Sequence, residues 1–171
     1  PRFMTERGLQ LKTEFRYLTE KHTGQVNIEY LPSDQDLNDD TERYFYRFVH
    51  SGKIGENWQI NADINGLSDD NYIVDLGSDY YNRADTHLYK TLGLSYFSQS
   101  LDFTAQFRDF EVLGDHPDSY RALPEIRLNY LTPIGLGAEF QLNSELAYFE
   151  SAELDNPTAT RFHIAPTVRY P

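Results

Sequence analysis

The sequence predicts an all-β chain, an antiparallel meander of about nine strands that forms part of a large transmembrane β-barrel. Three observations predict it. Apolar and polar residues alternate with period 2 along most of the chain, a pattern that a strand sorts onto two faces and a helix would mix. Mean hydropathy is −0.63, yet aromatics make up 15% of the 171 residues, with 13 Tyr and 11 Phe. Strands with one apolar and one wet face reconcile those figures, whereas acidic disordered chains are poor in aromatics. Short and long connections also alternate, as do the short periplasmic turns and longer extracellular loops of outer-membrane barrels.

The strand patterns follow in order. Leu9, Leu11, Thr13, Phe15 and Tyr17 alternate with Gln10, Lys12, Glu14 and Arg16. Val26, Ile28 and Tyr30 alternate with Asn27 and Glu29. Tyr44, Tyr46 and Phe48 alternate with Arg43, Phe45 and Arg47. Trp58, Ile60, Ala62 and Ile64 alternate with Gln59, Asn61, Asp63 and Asn65. Leu88, Leu92, Leu94 and Tyr96 are expected on one face, interrupted by Lys90. Leu101, Phe103, Ala105 and Phe107 oppose Asp102, Thr104, Gln106 and Arg108. Ile126, Leu128 and Tyr130 oppose Glu125, Arg127 and Asn129. Phe140, Leu142, Leu146 and Tyr148 face away from Glu139, Gln141, Asn143 and Glu145. Phe162, Ile164, Val168 and Tyr170 oppose His163, Thr167 and Arg169. Short links fall at Thr19–Gly24, Ser51–Asn57, Gln99–Ser100 and Pro133–Gly137. Longer ones fall at Ser33–Thr41, Ser68–Thr86, Gly114–Ala122 and Ser151–Thr160, and Ser68–Thr86 is too long for a passive turn. A soluble all-β domain with one wet face would share the periodicity. The several charges on each polar face and the Tyr or Trp ends of the apolar faces favour a membrane wall.

Composition narrows the function classes. The formal net charge of −12 disfavours nucleic acid, which needs clustered Lys and Arg. Without cysteine there is neither a disulfide nor a thiolate metal site. No apolar run is long enough for a membrane helix, and PRFMTERG lacks a signal-peptide core. Asp34, Asp36, Asn38, Asp39 and Asp40 resemble the start of a calcium loop, but Asp39 and Phe45 stand where Gly and Glu are needed. The five histidines show no ligand spacing, and no nucleophile elbow, phosphate loop or dinucleotide fingerprint occurs. The chain is therefore expected to be no enzyme and to hold no cofactor or metal. Pro124, Pro166 and Pro171 are expected at strand ends or bulges, since proline breaks a ladder hydrogen bond.

Six stretches add a resemblance. PRFMTERG (1–8), EFRYL (14–18), EYLPSD (29–34), FYRFVHSG (45–52) and LSDDNYIVDLGS (67–78), followed by ATRFHIAPTV (159–168), resemble in order and spacing the outer-membrane lipopolysaccharide-assembly family LptD, also called OstA or Imp. The resemblance implies a periplasmic jellyroll followed by one very large barrel. Residues 1–171 would be an early fragment of that barrel, without the jellyroll, the closing strands or the family's disulfide cysteines. It implies as partners lipopolysaccharide, the plug lipoprotein LptE, the bridge protein LptA through the jellyroll, the barrel-assembly machinery and the outer membrane of a Gram-negative bacterium. It also implies a lateral gate between first and last strands. Pro1 stands where the family's proline weakens pairing beside that gate, although Thr5 and Glu6 ahead of Arg7 depart from the family pattern.

On this reading Leu11, Phe15, Ile28, Ile60, Leu92, Leu94, Phe103, Phe107, Leu128 and Leu142 face lipid. Gln10, Glu14, Arg16, Glu29, Asn61, Asp63, Gln106, Arg127 and Glu145 face the lumen. Loop lengths put Ser68–Thr86 outside the cell and Gln99–Ser100 in the periplasm. The alternative is a general porin or another large outer-membrane barrel. A porin is expected to carry facing charge clusters on an inward-folded loop.

Overall fold

The computed structural model describes residues 1–37, 41–83, 85–114, 116, 120–151 and 156–170. It contains strands β1 (Arg2–Met4), β2 (Gly8–Leu18), β3 (His22–Leu31), β4 (Arg43–Ile54), β5 (Trp58–Leu67), β6 (His87–Phe97), β7 (Leu101–Val112), β8 (Arg121–Gly135), β9 (Ala138–Glu150) and β10 (Ala159–Arg169), with one short helix, α1 (Tyr72–Leu76), between β5 and β6. The strands follow one another through a single ten-stranded sheet in chain order, each neighbour the next in sequence. Nine of them coincide with the nine alternating patterns. The tenth, β1, has only three residues, too few to show a period.

The chain divides into two compact units. The first comprises Pro1–His50, Asp63–Lys90 and Phe110–Pro117. Its β2–β3 ladder pairs Lys12 with Glu29, Glu14 with Asn27 and Arg16 with Gln25 on one face. Leu11 meets Tyr30, Thr13 meets Ile28 and Phe15 meets Val26 on the other. Phe15 is 61% exposed, and Leu11 and Ile28 are exposed beside it. The β2–β3 turn is closed by Thr19, whose N–H donates to the His22 carbonyl at 2.8 Å and whose hydroxyl accepts from the His22 N–H at 3.0 Å. Tyr17 faces Gly24 in the register, and a Cβ on Gly24 would lie 2.2 Å from the Tyr17 hydroxyl. The missing side chain lets the Tyr17 ring lie across β3 and reach His50 Nδ1 on β4 at 2.5 Å.

The second unit comprises Ser51–Ala62, Thr91–Asp109 and Asp118–Pro171. Here Thr104 pairs with Arg127, Arg127 with Glu145 and Glu145 with His163. Phe103 pairs with Leu128, and Tyr130 with both Leu101 and Leu142. The polar and apolar sets thus stay on separate faces across four strands, as the alternation requires. Gly135, Leu136 and Gly137 turn β8 into β9 with φ of 94°, 54° and 77°. The flanking glycines take positive φ without steric cost.

Two expectations change. Leu88 does not share an exposed face. It is fully buried with Leu67 and Leu113, while His87 and Tyr89 ring-pack on Phe110. Pro166 lies neither at a strand end nor in a bulge. It pairs with Leu142 inside an unbroken register from Ala159 to Arg169. Proline is tolerated there because a strand position whose N–H would point away from its neighbour needs no donor. Pro124 does sit at an irregularity, between the register shift at Ala122 and Glu125. Asn38, Asp39, Asp40 and Pro171 lie outside the described residues.

Candidate functional site

The long connection after β5 folds onto the polar face of the first unit instead of standing clear of the strands. Its local structure starts at Asp69. The Asp69 carboxylate accepts the Ser68 hydroxyl at 2.7 Å and the Asn71 N–H at 3.1 Å, and its carbonyl accepts the Tyr72 N–H at 3.1 Å. Helix α1 follows for five residues and ends at Gly77, φ 70°. Tyr72, Ile73 and Leu76 recur at i, i+1 and i+4 and form one side of the helix. All three are buried in a cluster with Leu31, Phe45, Leu67, Leu88 and Leu113, and Met4, Tyr80 and Tyr81 pack against it. Val74, on the other side of the helix, is 51% exposed. An apolar patch on an otherwise wet face therefore finds its cover in the chain's own strap, residues 68–86.

Ion pairs ring that patch. Arg43, 1% exposed on β4, donates to Asp34 at 3.0 Å, to both oxygens of Asp69 at 2.6 and 2.9 Å and to Asp75 at 2.9 Å. Arg7, in the β1–β2 turn, reaches Asp34 and Asp36, each at 2.7 Å, and Asp75 at 3.9 Å. A planar guanidinium with five donors suits this fan of carboxylates; a lysine would serve fewer. Burial alone would raise the Asp34 carboxyl. The Arg43 guanidinium, the Asp36 N–H and Arg7 together outweigh it and hold Asp34 below the usual carboxylate range. Asp69 behaves alike: burial opposes ionisation, and Arg43, the Ser68 hydroxyl and the Asn71 N–H prevail. Burial beside the Glu29 carboxylate pushes the Tyr72 phenol far up.

A second band of contacts ties the strap to β2, β3 and β5. The Tyr72 hydroxyl donates to Glu29 at 3.1 Å, and Gln10 Nε2 reaches Tyr72 at 3.0 Å and Glu29 at 3.3 Å. Lys12 bridges Asp79 at 3.3 Å and Glu29 at 3.4 Å. Tyr80 meets Glu14 at 3.2 Å and also Asn27. Arg47 grips Asp63 with both arms at 2.6 and 2.9 Å and lies over the Tyr80 and Tyr81 rings at 5.8 and 5.7 Å.

The strap thus meets three of the residues read as lumen-facing, Gln10, Glu14 and Glu29, and Arg47 links a fourth, Asp63, to it. The others lie apart from it. Arg16 pairs with Glu14 at 2.8 Å, Asn61 accepts from Ser51 at 2.8 Å, and Gln106 accepts from Arg108 at 3.0 Å. Arg127 and Glu145 form a separate network with Glu125 and Arg161. Asp34 and Asp36, read as the start of a cation loop, serve as counter-charges to Arg7 and Arg43. Pro1 immediately precedes β1, whose pairing with β2 begins at Arg2. Sequence reasoning missed Arg7, Arg43, Asp69, Tyr72 and Asp75. The available signal was Asn71, the N-cap position, followed by Tyr72, Ile73 and Leu76, a helical apolar stripe inside a linker.

No helix among the described residues is long and apolar enough to cross a membrane. Consecutive antiparallel strands with one polar face and one exposed aliphatic and aromatic face define a wall segment of a transmembrane β-barrel. The LPS transport system D (LptD) family model matches residues 41–171. The chain is 61% identical over its whole length to the LPS-assembly protein LptD of Pseudoalteromonas atlantica, 42% over 99% of it to that of Pseudoalteromonas translucida, and 40% over 99% of it to that of Idiomarina loihiensis. It spans 22%, 23% and 22% of the lengths of those relatives. The chain belongs to the LptD family.

Proposed function

We propose that this chain is part of the wall of the outer-membrane translocon that inserts lipopolysaccharide into the outer leaflet of a Gram-negative bacterium. The observation that carries the reading is the end-to-end similarity to LPS-assembly proteins, 61% identical in one relative. The two faces supply a physical route. A row of charged and amide side chains keeps water beside the strands and can carry a hydrated saccharide. The exposed face of Phe15, Ile28, Phe107 and their neighbours meets acyl chains. The role is transport, with no bond made or broken by the wall. The residues read as facing lumen and lipid keep those assignments, and Ser68–Thr86 belongs to the outer side. LptE, LptA and the barrel-assembly machinery are the proteins the whole translocon would meet. Pro1, which cannot donate a backbone hydrogen bond, would weaken a seam beside β1.

A porin reading has one specific observation in its favour: the strap folds onto the polar face with its charges, as a porin constriction loop does. The experiment separates the two. Cells depleted of the whole protein are complemented with wild type or with Pro1→Ala. Export is followed as newly made lipopolysaccharide at the cell surface, and channel activity as conductance of the purified protein. A translocon restores surface lipopolysaccharide, and Pro1→Ala slows it. Ordinary surface lipopolysaccharide in depleted cells, with steady solute conductance by the protein, would leave the porin.

A further inference from the structure

The apolar face of the first unit has two unlike ends. Along β3 its residues run His22, Gly24, Val26, Ile28 and Tyr30, so polar rings stand at both ends with Val26 and Ile28 between them. His22 and Tyr30 are separated by about 26 Å of strand, close to the ~25 Å height of the apolar band of a membrane barrel. At the strap end the Tyr30 hydroxyl donates to Glu42 at 2.9 Å, and Asp34, Asp69 and Asp75 gather around Arg43. The other end, closed by the short β2–β3 turn, carries two histidines.

Those histidines form one cluster with Tyr17 and Phe48. The Tyr17 hydroxyl meets His50 Nδ1 at 2.5 Å. The His22 and His50 rings stack with centroids 5.5 Å apart and 20° between their planes, and Phe48 stacks on His50 at 6.0 Å. With Nδ1 taken, Nε2 is the free nitrogen of His50, and no group among the described residues hydrogen-bonds the His22 ring. All four side chains are half-buried, on the same face as the exposed Phe15. Lys21 and Glu20, both exposed, are the charged residues of the adjoining turn. Ring nitrogens without a partner are costly at the margin of hydrocarbon, and Phe would fill the same space without that cost. A partner for them at that depth is the phosphate of a lipid headgroup.

On the reading that the Phe15 face meets lipid and the short turns lie in the periplasm, we propose that His22 and His50, with Lys21 beside them, bind the phosphate of a glycerophospholipid of the periplasmic leaflet. Tyr17 and Phe48 hold the two rings in place. Ring N–H groups and an ammonium are donors, and a phosphodiester oxygen is an ionised acceptor, which gives the stronger class of hydrogen bond. Aromatic rings suit the same depth, with an apolar body toward the acyl chains and a polar edge toward the headgroups. The bound lipid would anchor this part of the wall at its inner boundary, with no part in carrying lipopolysaccharide.

Photo-cross-linking of the whole protein in vesicles of phosphatidylethanolamine and phosphatidylglycerol tests this. The vesicles carry a trace of phosphatidylethanolamine with a photo-reactive group either on the headgroup or at the end of an acyl chain, and adducts are mapped by peptide mass spectrometry. The acyl probe should label Phe15 and Ile28, and the headgroup probe should label residues 17–22 and 48–50. In the double variant His22→Phe with His50→Phe, the rings keep their depth and lose their nitrogens. Headgroup adducts at 17–22 and 48–50 should then fall about tenfold, the scale of losing hydrogen bonds to a charged group. Headgroup adducts at Tyr44 and Tyr89, exposed toward the strap end, and acyl adducts at Phe15 should stay as in the parent. Acyl adducts at Phe15 without headgroup adducts at the cluster overturn the site, and so do headgroup adducts that persist in the double variant. Absence of acyl adducts at both Phe15 and Ile28 would instead remove the lipid-facing reading, and the site with it. If the double variant fails to assemble, His22→Phe decides alone, because that ring holds no protein hydrogen bond: unchanged headgroup adducts at 17–22 overturn the site.

Discussion

Arg43 is the residue on which the strap's docking depends most. Its partners lie 9, 26 and 32 residues away in sequence, so no local pattern announces them. The sequence reading placed Arg43 correctly on a polar strand face. It could not show that the same face is covered, because cover comes from a loop whose course only the packed structure reveals. For the same reason Asp34 and Asp36 read as part of a solvated acidic loop, whereas guanidinium groups already neutralise them. Arg43→Ala would leave the fully buried Asp34 carboxylate with Arg7 and the Asp36 N–H and should cost about 3–5 kcal/mol, as breaking a buried ion pair does. Arg43→Lys should recover part of that, since an ammonium keeps the charge but not the fork. Denaturant midpoints of the whole protein folded in lipid measure both; equal midpoints for wild type and Arg43→Ala would remove Arg43 from any stabilising role. The pH dependence has a definite sign. Asp34 and Asp69 are held below the ordinary carboxylate range, near 4. Their contribution is complete above that range and is lost as pH falls through the lowered folded values. Protection of amides 72–77 should therefore be level from about pH 8 to 5 and decline only in stronger acid. A decline centred between pH 6 and 7 would point to a histidine instead.

At the level of elements, the strands were legible and their ornaments were not. Nine alternating runs became nine strands, and the β2–β3 and β8–β9 faces separated as the period-2 rule demands. β1 escaped because three residues carry no period. Leu88 was misplaced because an apolar residue under the strap obeys the strap, not the exposed face of its neighbours. Helix α1 has five residues, too short to stand out against the polar linker around it, and it forms because the patch beneath buries Tyr72, Ile73 and Leu76. The strap also shows why an exposed loop cannot be assumed from length: a long connection with its own apolar stripe folds back. Cross-strand fit gives a test at this scale. Gly24→Ala would put a methyl carbon 2.2 Å from the Tyr17 hydroxyl and force the ring away from His50. The loss of that hydrogen bond should cost about 0.5–1.5 kcal/mol, with more for displaced packing. Tyr17→Phe should cost a similar amount, and the two changes together little more than either alone. Full additivity in such a double-mutant cycle would show that the ring and the glycine do not act as one unit.

For the whole molecule, the sequence carried the barrel class because membrane walls leave a periodic signature: every backbone group pairs along the sheet, and lipid and water sort the side chains. It carried the family through ordered stretches such as EYLPSD and ATRFHIAPTV, spread from residue 29 to residue 168. The strap puts a porin-like feature inside a chain of the LptD family, and loop length gave no sign that it would fold onto the polar face. Lipopolysaccharide passage along the polar face is the claim on which the rest turns. A photo-reactive amino acid placed singly at Asn61, Gln106 and Arg127, and for comparison at Phe103 and Leu128, in the whole protein tests it in growing cells. The account predicts lipopolysaccharide adducts at the polar positions that accumulate while export runs and fade when lipopolysaccharide supply is stopped, with any adducts at Phe103 and Leu128 insensitive to that supply. Fully assembled protein that gives no lipopolysaccharide adduct at any of the three polar positions during active export would contradict it.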